Sequence, residues 1–346
     1  MTSARTDTAV AAARPPQGWA AWSPPARAGA AILACIVTLC VLSLPWTLAR
    51  VEREGGAPVR RYEAGNLQLA LLPPSWWSTP AATAAVTERE RAAGNYIPSR
   101  VLGTDRLGRD LFARCLLGGA VSLLVGASAA LIAVTVGTLY GALSGARGGR
   151  VDDALMRTVD VLYGLPSMLL VVLLAVAVDG VIERMGVRRA GALGQGIDLV
   201  VLLVAIGATS WLTIARVIRG QILSLRAQPF MEACRALGIG PARQFFRHAL
   251  PNVAGTVAVY AALAVPAAIL AESFLSFLGI GVRDPMPSWG NLASEGLSEV
   301  NTVHSRWWLL LWPCLSIAAT LLALNFLGDA MRQAVDPAAA GRRRGS

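Results

Sequence analysis

The sequence of 346 residues contains no lysine, and all 31 of its basic residues are arginines. A phosphate-binding P-loop needs a lysine to reach the nucleotide phosphates, so the chain has no such loop of its own. If ATP drives the function of this protein, another polypeptide binds and hydrolyses it.

Charged residues are scarce as well. They make up 15% of the chain, whereas soluble domains carry about 25%. Hydrophobic residues make up 55% of the chain, and its mean hydropathy is +0.53. These values argue against a cytosolic enzyme, and a disordered chain is excluded because such chains are poor in apolar residues. The net charge of +10 does not indicate nucleic-acid binding, because the arginines flank long uncharged runs instead of forming a basic domain.

Residues that bind metals or build catalytic sites are few. The five cysteines have no metal-site spacing, and Cys35, Cys40, Cys115 and Cys314 lie in or beside apolar runs, as small buried hydrophobic residues do. With only two histidines, neither a metal pair nor a Ser–His–Asp triad can be assembled from spacing. The sequence therefore predicts no metal site, no cofactor and no catalytic residue.

Six long runs contain neither charged residues nor histidine. They are residues 28–49, 115–146, 161–178, 199–215, 249–271 and 307–328. About 20 apolar residues are needed to cross the hydrocarbon core of a membrane, and each spanning segment must satisfy its own backbone hydrogen bonds there. The predicted fold class is therefore all-α, a polytopic membrane protein with six transmembrane helices. The first run exceeds the apolar part of a signal peptide and is interpreted as a retained span.

Arginines in the short loops predict the orientation of these spans. If the N-terminus is cytoplasmic, the inside segments hold sixteen arginines and the two short outside loops hold five. The long first loop is left out because long loops cross the membrane regardless of charge. Both termini are therefore expected in the cytoplasm. The tryptophans expected near the outer face are Trp46, Trp76, Trp77, Trp289, Trp307 and Trp308.

The domain organisation follows from the spans. Residues 1–27, rich in alanine and proline, are expected to form a disordered cytoplasmic tail, and residues 331–346 form a second cytoplasmic tail. Residues 50–102 form a long extracytoplasmic loop, interpreted as a surface excursion, with contact to an external partner as the alternative. Residues 103–330 form the transmembrane core with the other five spans.

The loop between the fourth and fifth spans, residues 219–250, is the most informative stretch. Its pattern predicts a short amphipathic helix with small residues at Ala233, Cys234 and Ala236, a stop at Gly238, and a second helix from Pro241. Small residues on the short helix allow the surface of another protein to approach closely. From spacing alone, an ordinary interfacial loop remains the alternative.

The stretch after the fifth span, residues 272–291, is the second candidate. Glu272 is a carboxylate at the end of an apolar run. An ionisable residue within a membrane segment suggests a function, such as contact with substrate or gating. The alternative is that Glu272 caps a helix or reaches interfacial water. Gly279 and Gly281 interrupt any helix, and the apolar remainder is too short to cross again. The segment is therefore predicted to fold back on the outer mouth of a pathway, with packing on the membrane face as the alternative. The candidate gate or pathway residues are Glu272, Ser273, Ser276 and Trp289.

Five groups of residues, in order along the chain, carry a resemblance to a known family. They are Gly103-Thr104-Asp105-x-x-Gly108-Arg109-Asp110; Gly148-Gly149-x-x-Asp152; Glu232-Ala233-Cys234 with Gly238 and His248-x-Leu250-Pro251-Asn252; Glu272 to Gly281 with Pro287 to Asn291; and Trp307-Trp308-x-x-x-Trp312-Pro313 with Asn325 to Pro337. With this topology, residues 28–337 resemble ABC-importer permeases, specifically the second permease of dipeptide and oligopeptide importers (DppC/OppC type). Cys234 departs from the alanine commonest in that family.

The resemblance implies a type I ABC-importer permease fold in a bacterial inner membrane. It implies a heterodimer with a homologous second permease, two cytoplasmic ABC ATPase subunits and an extracytoplasmic substrate-binding protein. Substrate crosses between the two permeases, with di- or oligopeptides expected and nickel or another small solute as the alternative. The EAA loop would form a coupling helix on one ATPase. Its residues are Glu232, Ala233, Cys234, Gly238 and Pro251.

An ion-coupled secondary transporter is the alternative from a different class. Such transporters usually place ionisable residues near the membrane midplane. The six runs contain none in their interiors, which disfavours proton or sodium coupling. A membrane-embedded enzyme has little support, because no catalytic set is apparent from spacing.

Overall fold

The computed structural model describes residues 23–53, 56–77, 81–186, 191–300 and 305–335. The helices are α1 (Pro24–Leu42), α2 (Leu44–Thr47), α3 (Ala81–Ala92), α4 (Leu111–Arg147), α5 (Gly149–Tyr163), α6 (Ser167–Arg184), α7 (Gly191–Arg226), α8 (Pro229–Ala236), α9 (Pro241–Gln244), α10 (Leu250–Phe277), α11 (Trp289–Ser298) and α12 (Trp307–Val335). A small antiparallel hairpin joins β1 (Arg50–Arg53) to β2 (Gly56–Arg60). The mostly helical fold confirms the predicted class. The parts of the two predicted tails at 1–22 and 336–346 lie outside the described residues.

Among the described residues, five stretches are long and apolar enough to cross a membrane. They are Pro24–Thr47, Leu111–Arg147, Gly196–Arg226, Ala242–Phe277 and Trp307–Gln333. Helices α5 and α6 pass the same test only as a pair, bent by 92°. The bent pair is the candidate for the third of the six predicted spans.

The third span was predicted in the wrong form. The sequence predicted one helix over residues 161–178, but the structure breaks the chain between the end of α5 and the start of α6. Leu165 precedes Pro166, and a residue before proline is pushed out of the helical conformation. Helix α5 is amphipathic and buries Met156 and Val159, so it packs against the bundle as a separate element.

Helices α4 and α7 form a central pair. Gly137, Gly141 and Gly145 bring the backbone of α4 directly against α7, and a Cβ added at Gly141 would lie 2.2 Å from the carbonyl oxygen of Ala215. Small residues four positions apart allow two membrane helices to approach this closely. The pair therefore supplies the frame on which the other helices pack.

The two ends of the bundle differ in composition. At one, the tryptophan-rich end, the ring of Trp307 lies 6.4 Å from that of Trp76 and 5.2 Å from that of Trp77, and Trp289 and Trp308 are buried there. The other, the arginine-rich end, holds the loop between α7 and α10 with Arg226, Arg235, Arg243 and Arg247. The tryptophans thus gather at one end, as the sequence predicted, although two of them face the protein interior.

Candidate functional site

Helix α8 is a short amphipathic element at the arginine-rich end. Met231 and Cys234 are buried, whereas Glu232 and Ala233 face outward. The sequence placed small residues on a surface open to a partner, and the structure leaves Ala233 and Ala236, but not Cys234, on that surface. Cys234 instead packs toward the chain itself, where its small side chain lets α8 lie close.

Large apolar side chains surround the exposed face of α8. Phe230 is 41% exposed, Leu237 is 78% exposed and Phe246 is 67% exposed. Single exposed apolar residues are ordinary on a protein surface, but a group of them on one loop marks a surface that a partner covers. This outward side of the loop is a candidate docking site and is named the docking face; it comprises Phe230, Glu232, Ala233, Leu237 and Phe246.

Gly238 ends the turn that follows α8. Its φ of +70° lies in the left-handed region that favours glycine, so the predicted helix stop is confirmed. The Ile239 N–H donates to the carbonyl oxygen of Cys234 at 3.0 Å, which completes the helix end. Pro241 then begins α9 as predicted, and Pro251 occupies the first turn of α10.

Helix α8 is tied to the central helix pair by arginines. The guanidinium of Arg235 donates to the carbonyl oxygen of Arg226, the last residue of α7. Arg226 in turn donates from Nη1 to the carbonyl oxygen of Gly145 in α4, at 2.7 Å. Helix α8 is therefore hydrogen-bonded to the end of α7, and the end of α7 is hydrogen-bonded to the end of α4.

The turn between α4 and α5 explains a motif that the sequence only matched to the family. Gly148 and Gly149 have φ values of +65° and +57°, which favour glycine. They bring Asp152 back against Arg219 of α7, which donates through Nε and Nη2 at 2.6 Å each. This bidentate pair locks α5 to α7 close to the arginine-rich end.

A groove of about 550 Å³ opens on one side of the bundle. The break between α5 and α6 forms one wall and helices α7 and α10 form the others. The described residues that line the groove carry no charge, and its polar groups are hydroxyls. The hydroxyl-bearing residues are Tyr163, Ser167, Thr209, Ser210, Thr213 and Tyr260.

An exposed ion pair stands beside this groove. The guanidinium of Arg216 lies 3.9 Å from the ring centroid of Tyr163 and donates to a carboxylate oxygen of Asp160 at 2.7 Å. A cation over an aromatic face is attracted by the ring. The two contacts fix Tyr163, the last residue of α5, at the edge of the groove.

The stretch after the fifth predicted span begins differently from its prediction. Helix α10 runs to Phe277, beyond the predicted end of the span at Ala271, so Glu272, Ser273 and Ser276 belong to the helix. The chain leaves α10 at Gly279, where φ is +77°. The folded-back part is therefore residues 278–288, which lead into α11.

The structure brings the four gate candidates together inside the subunit. Glu272 is 0% exposed, and its carboxylate accepts a hydrogen bond from the Ser276 hydroxyl at 2.8 Å. Trp289 is buried and donates from Nε1 to the carbonyl oxygen of Cys115 in α4, at 3.0 Å. None of the four lines the groove. In this structure their side chains pack among α4, α10 and α11.

Sequence reasoning missed a cluster of buried charges at the tryptophan-rich end. Arg114 is 0% exposed and contacts Glu295 of α11 at 2.9 Å and Asp105 at 3.3 Å. Arg109 pairs with Asp105 at 2.5 Å and with Asp284 at 3.3 Å. The signal was present in the motif from Gly103 to Asp110, whose charges lie too close to an apolar run to be ordinary surface residues.

The charge cluster predicts a pH dependence of stability. Burial raises the pKa of Glu295 to about 7 from its ordinary value of 4.5, although Arg109 opposes the shift. A raised carboxyl pKa means that the folded protein holds the proton more tightly than the unfolded chain. The stabilisation from that proton is complete below about pH 4.5 and is lost as the pH rises through about 7.

We therefore expect the melting temperature of the purified protein to fall between about pH 5 and about pH 8, and the fall to be smaller in Glu295→Gln. Thermal unfolding in detergent at the two pH values measures it. Glu88→Gln, on the exposed face of α3, is the matched control and should behave like the wild type. An equal fall in Glu295→Gln and wild type would contradict the assignment.

Comparison with known proteins agrees with this architecture. Residues 137–341 match the family described as "Binding-protein-dependent transport system inner membrane component". The chain is 45% identical over 235 residues to the oligopeptide transport system permease protein OppC of Haemophilus influenzae, covering 68% of this chain and 69% of that protein. It is 41% identical to the dipeptide transport system permease protein DppC of Bacillus subtilis, with coverage of 68% on both sides.

A solved structure shows the same fold. A chain of the inward-facing MetNI methionine ABC transporter matches with a TM-score of 0.51 and 15% identity, covering 65% of this chain and 98% of that chain. At this identity the likeness concerns the fold alone. The family match and the OppC and DppC relatives together show that this chain belongs to the inner-membrane components of binding-protein-dependent transport systems, a family of non-catalytic permeases.

Proposed function

We propose that the chain is the transmembrane permease subunit of an ATP-driven importer for di- and oligopeptides. The observation that carries the proposal is the docking face of α8, which is exposed and yet tied through Arg235 and Arg226 to α7, a wall of the groove. A partner that moves α8 therefore moves the groove as well. This is the connection that an energy-coupled permease requires.

In this proposal the partner at the docking face is an ABC ATPase subunit, because the family to which the chain belongs works with ATPase and binding-protein partners. Glu232, Ala233 and Gly238 contact a cleft on the surface of that ATPase, and Leu237 is the apolar anchor of this contact. Cys234 supports the helix from behind, and Pro251 starts α10, which leads from the loop to the groove wall. ATP does work here because it binds the closed ATPase pair more tightly than the open pair.

The groove is one half of the substrate pathway. It is open on one side of this subunit, and a homologous second permease closes it in a heterodimer above two ATPases. An uncharged wall with dispersed hydroxyl groups accepts peptide groups without selecting the charge of a side chain. This agrees with peptide cargo, which is also what the names of the OppC and DppC relatives state for those proteins.

The arginine-rich end and both termini lie in the cytoplasm in this proposal, as the distribution of arginines favours. The tryptophan-rich end then faces outward, where aromatic side chains suit the membrane interface. An extracytoplasmic substrate-binding protein docks on that end. Residues 272–291 form the outer mouth of the pathway, and Glu272, Ser273, Ser276 and Trp289 support its external gate from inside the subunit.

Uptake by a reconstituted complex tests the function. Proteoliposomes holding both permeases and both ATPases are loaded with ATP, and the binding protein and a labelled dipeptide or oligopeptide are added outside. We expect uptake that needs ATP and is unaffected when sodium and proton gradients are collapsed. Uptake driven by an ion gradient without ATP, or uptake of nickel but not peptide, would contradict the proposal.

The groove makes a separate prediction. Ala267 lines the groove and is exposed in it, so the indole ring of Ala267→Trp extends into the pathway. We expect the uptake rate to fall by about tenfold or more, the equivalent of about 1.4 kcal/mol. Ala127→Trp, exposed on α4 outside the groove, is the control and should keep its uptake. Equal uptake rates in the two variants would show that the groove is not part of the pathway.

A further inference from the structure

Glu272 is a carboxylate buried without a counter-ion. It is 0% exposed on α10, and none of the ion pairs of the described residues includes it. Burying an ionised carboxylate is costly unless hydrogen bonds compensate for the water that it loses. The neighbours of Glu272 therefore decide whether its carboxylate is ionised.

Serine hydroxyls surround this carboxylate. Ser276 donates to it at 2.8 Å and Ser273 approaches it at 3.4 Å. Ser122 of α4 and Ser288, the residue before α11, direct their hydroxyls to the same group. Three separate parts of the chain thus converge on one side chain.

The serines also accept hydrogen bonds from the folded-back segment and from the first turn of α11. The Ser276 hydroxyl oxygen accepts the Val282 N–H at 3.1 Å. The Ser122 oxygen accepts the Trp289 N–H at 3.2 Å. The Ser288 oxygen accepts the Asn291 N–H at 3.3 Å.

Donor and acceptor can be assigned in these hydrogen bonds. A serine hydroxyl has a single hydrogen to donate. Since Ser122, Ser276 and Ser288 each accept a main-chain N–H, the hydrogen of each remains available for Glu272. An ionised carboxylate only accepts hydrogen bonds and has about four sites for them, so these hydroxyl hydrogens can offset part of the cost of burying its charge.

We propose that Glu272 is a positioning residue of the outer mouth. Its ionised carboxylate orients Ser122, Ser276 and Ser288. Through Ser276 and Ser122 it holds the main chain at Val282 and Trp289 against α10 and α4, and through Ser288 it supports the N-terminal cap of α11. The segment then moves as one body with these two helices when the permease changes state. This last step rests on the proposed function, whereas the hydrogen-bond relay does not.

Glutamine at position 272 keeps the volume but replaces one accepting oxygen with a donor, so the relay is broken. The first readout is the infrared difference spectrum of wild type minus Glu272→Gln. We expect loss of a carboxylate stretch. Loss of a protonated-acid C=O stretch would overturn the proposal.

The second readout is the position of the segment itself. Ala293 lies on α11 and is 6% exposed, so a cysteine there should resist a thiol reagent in a protein lacking the five native cysteines. We expect Ala293→Cys to be labelled faster with Glu272→Gln, and with Ser276→Ala, than with the control Glu88→Gln. Ser276→Ala keeps the charge and removes one relay bond, so it remains informative if Glu272→Gln fails to accumulate. Protection of Ala293→Cys in both relay variants would refute the relay.

The third readout is transport. We expect uptake in Glu272→Gln to fall by about tenfold or more, since hydrogen bonds to a charged group are strong, and to stay normal in Glu88→Gln. Normal uptake in Glu272→Gln, with Ala293→Cys exposed, would refute the role in transport. If the wild-type complex takes up no peptide, the proposed function fails while the infrared and labelling results still decide the relay.

Discussion

Replacing Gly238 by valine is expected to abolish uptake while the permease stays in the membrane at its normal level. The φ of Gly238 is +70°, and a β-branched residue is strongly disfavoured there. A Cβ at this position meets nothing within 4 Å, so the substitution causes no clash in the core. Its effect is local: the chain leaves α8 in another direction, and the docking face no longer fits the ATPase.

Two further variants isolate the backbone as the cause. Gly240 also has open space around a Cβ but has no positive φ, so Gly240→Val should keep its uptake. Gly238→Asn should keep most of it, because asparagine tolerates the left-handed conformation. Peptide uptake and membrane level are measured for all three. Full uptake in Gly238→Val would show that energy coupling does not depend on the turn after α8.

The second large effect is expected at the contact between α4 and α7. Gly141→Ala places a methyl group 2.2 Å from the carbonyl oxygen of Ala215, and a backbone atom in a packed helix cannot move aside. The two helices must separate, at a cost of about 1–3 kcal/mol or more. We expect a large loss of folded protein, and with it of uptake, measured as membrane level and as melting temperature in detergent.

Gly220→Ala is the matched control for this substitution. Gly220 lies on α7, and a Cβ there meets nothing within 4 Å. Alanine is favoured over glycine in a helix by about 1 kcal/mol, so this variant should be at least as stable as the wild type. If Gly141→Ala melted at the same temperature as Gly220→Ala, the close approach of α4 and α7 would not be needed for folding.

The break between α5 and α6 shows where apolar run length is insufficient. The uncharged run of residues 161–178 is long enough for a membrane span, and run length was the basis of the prediction. Pro166 carries the contrary signal because it restricts Leu165. The bend is a local effect of two residues, whereas a count of apolar residues averages over about 20.

The loop between α7 and α10 was the most accurately predicted part. The positions of Gly238 and Pro241 depend on φ preferences of single residues, which act locally and are visible in any sequence. The inward orientation of Cys234 was not visible. It depends on how α8 lies against the rest of the chain, which the sequence of the loop does not contain.

The sequence by itself determined the membrane class, the near-complete set of spans and the absence of a P-loop, because these depend on composition and on short-range backbone preferences. The tertiary structure decided which side chains meet. Arg114 and Glu295 are 181 positions apart, and Ser122 accepts from an amide 167 positions away. Only the packing of α4, α10 and α11 brings such groups within hydrogen-bond distance. In the sequence, Glu272 and the buried arginines are merely charged residues beside apolar runs, whereas the structure shows which groups they contact.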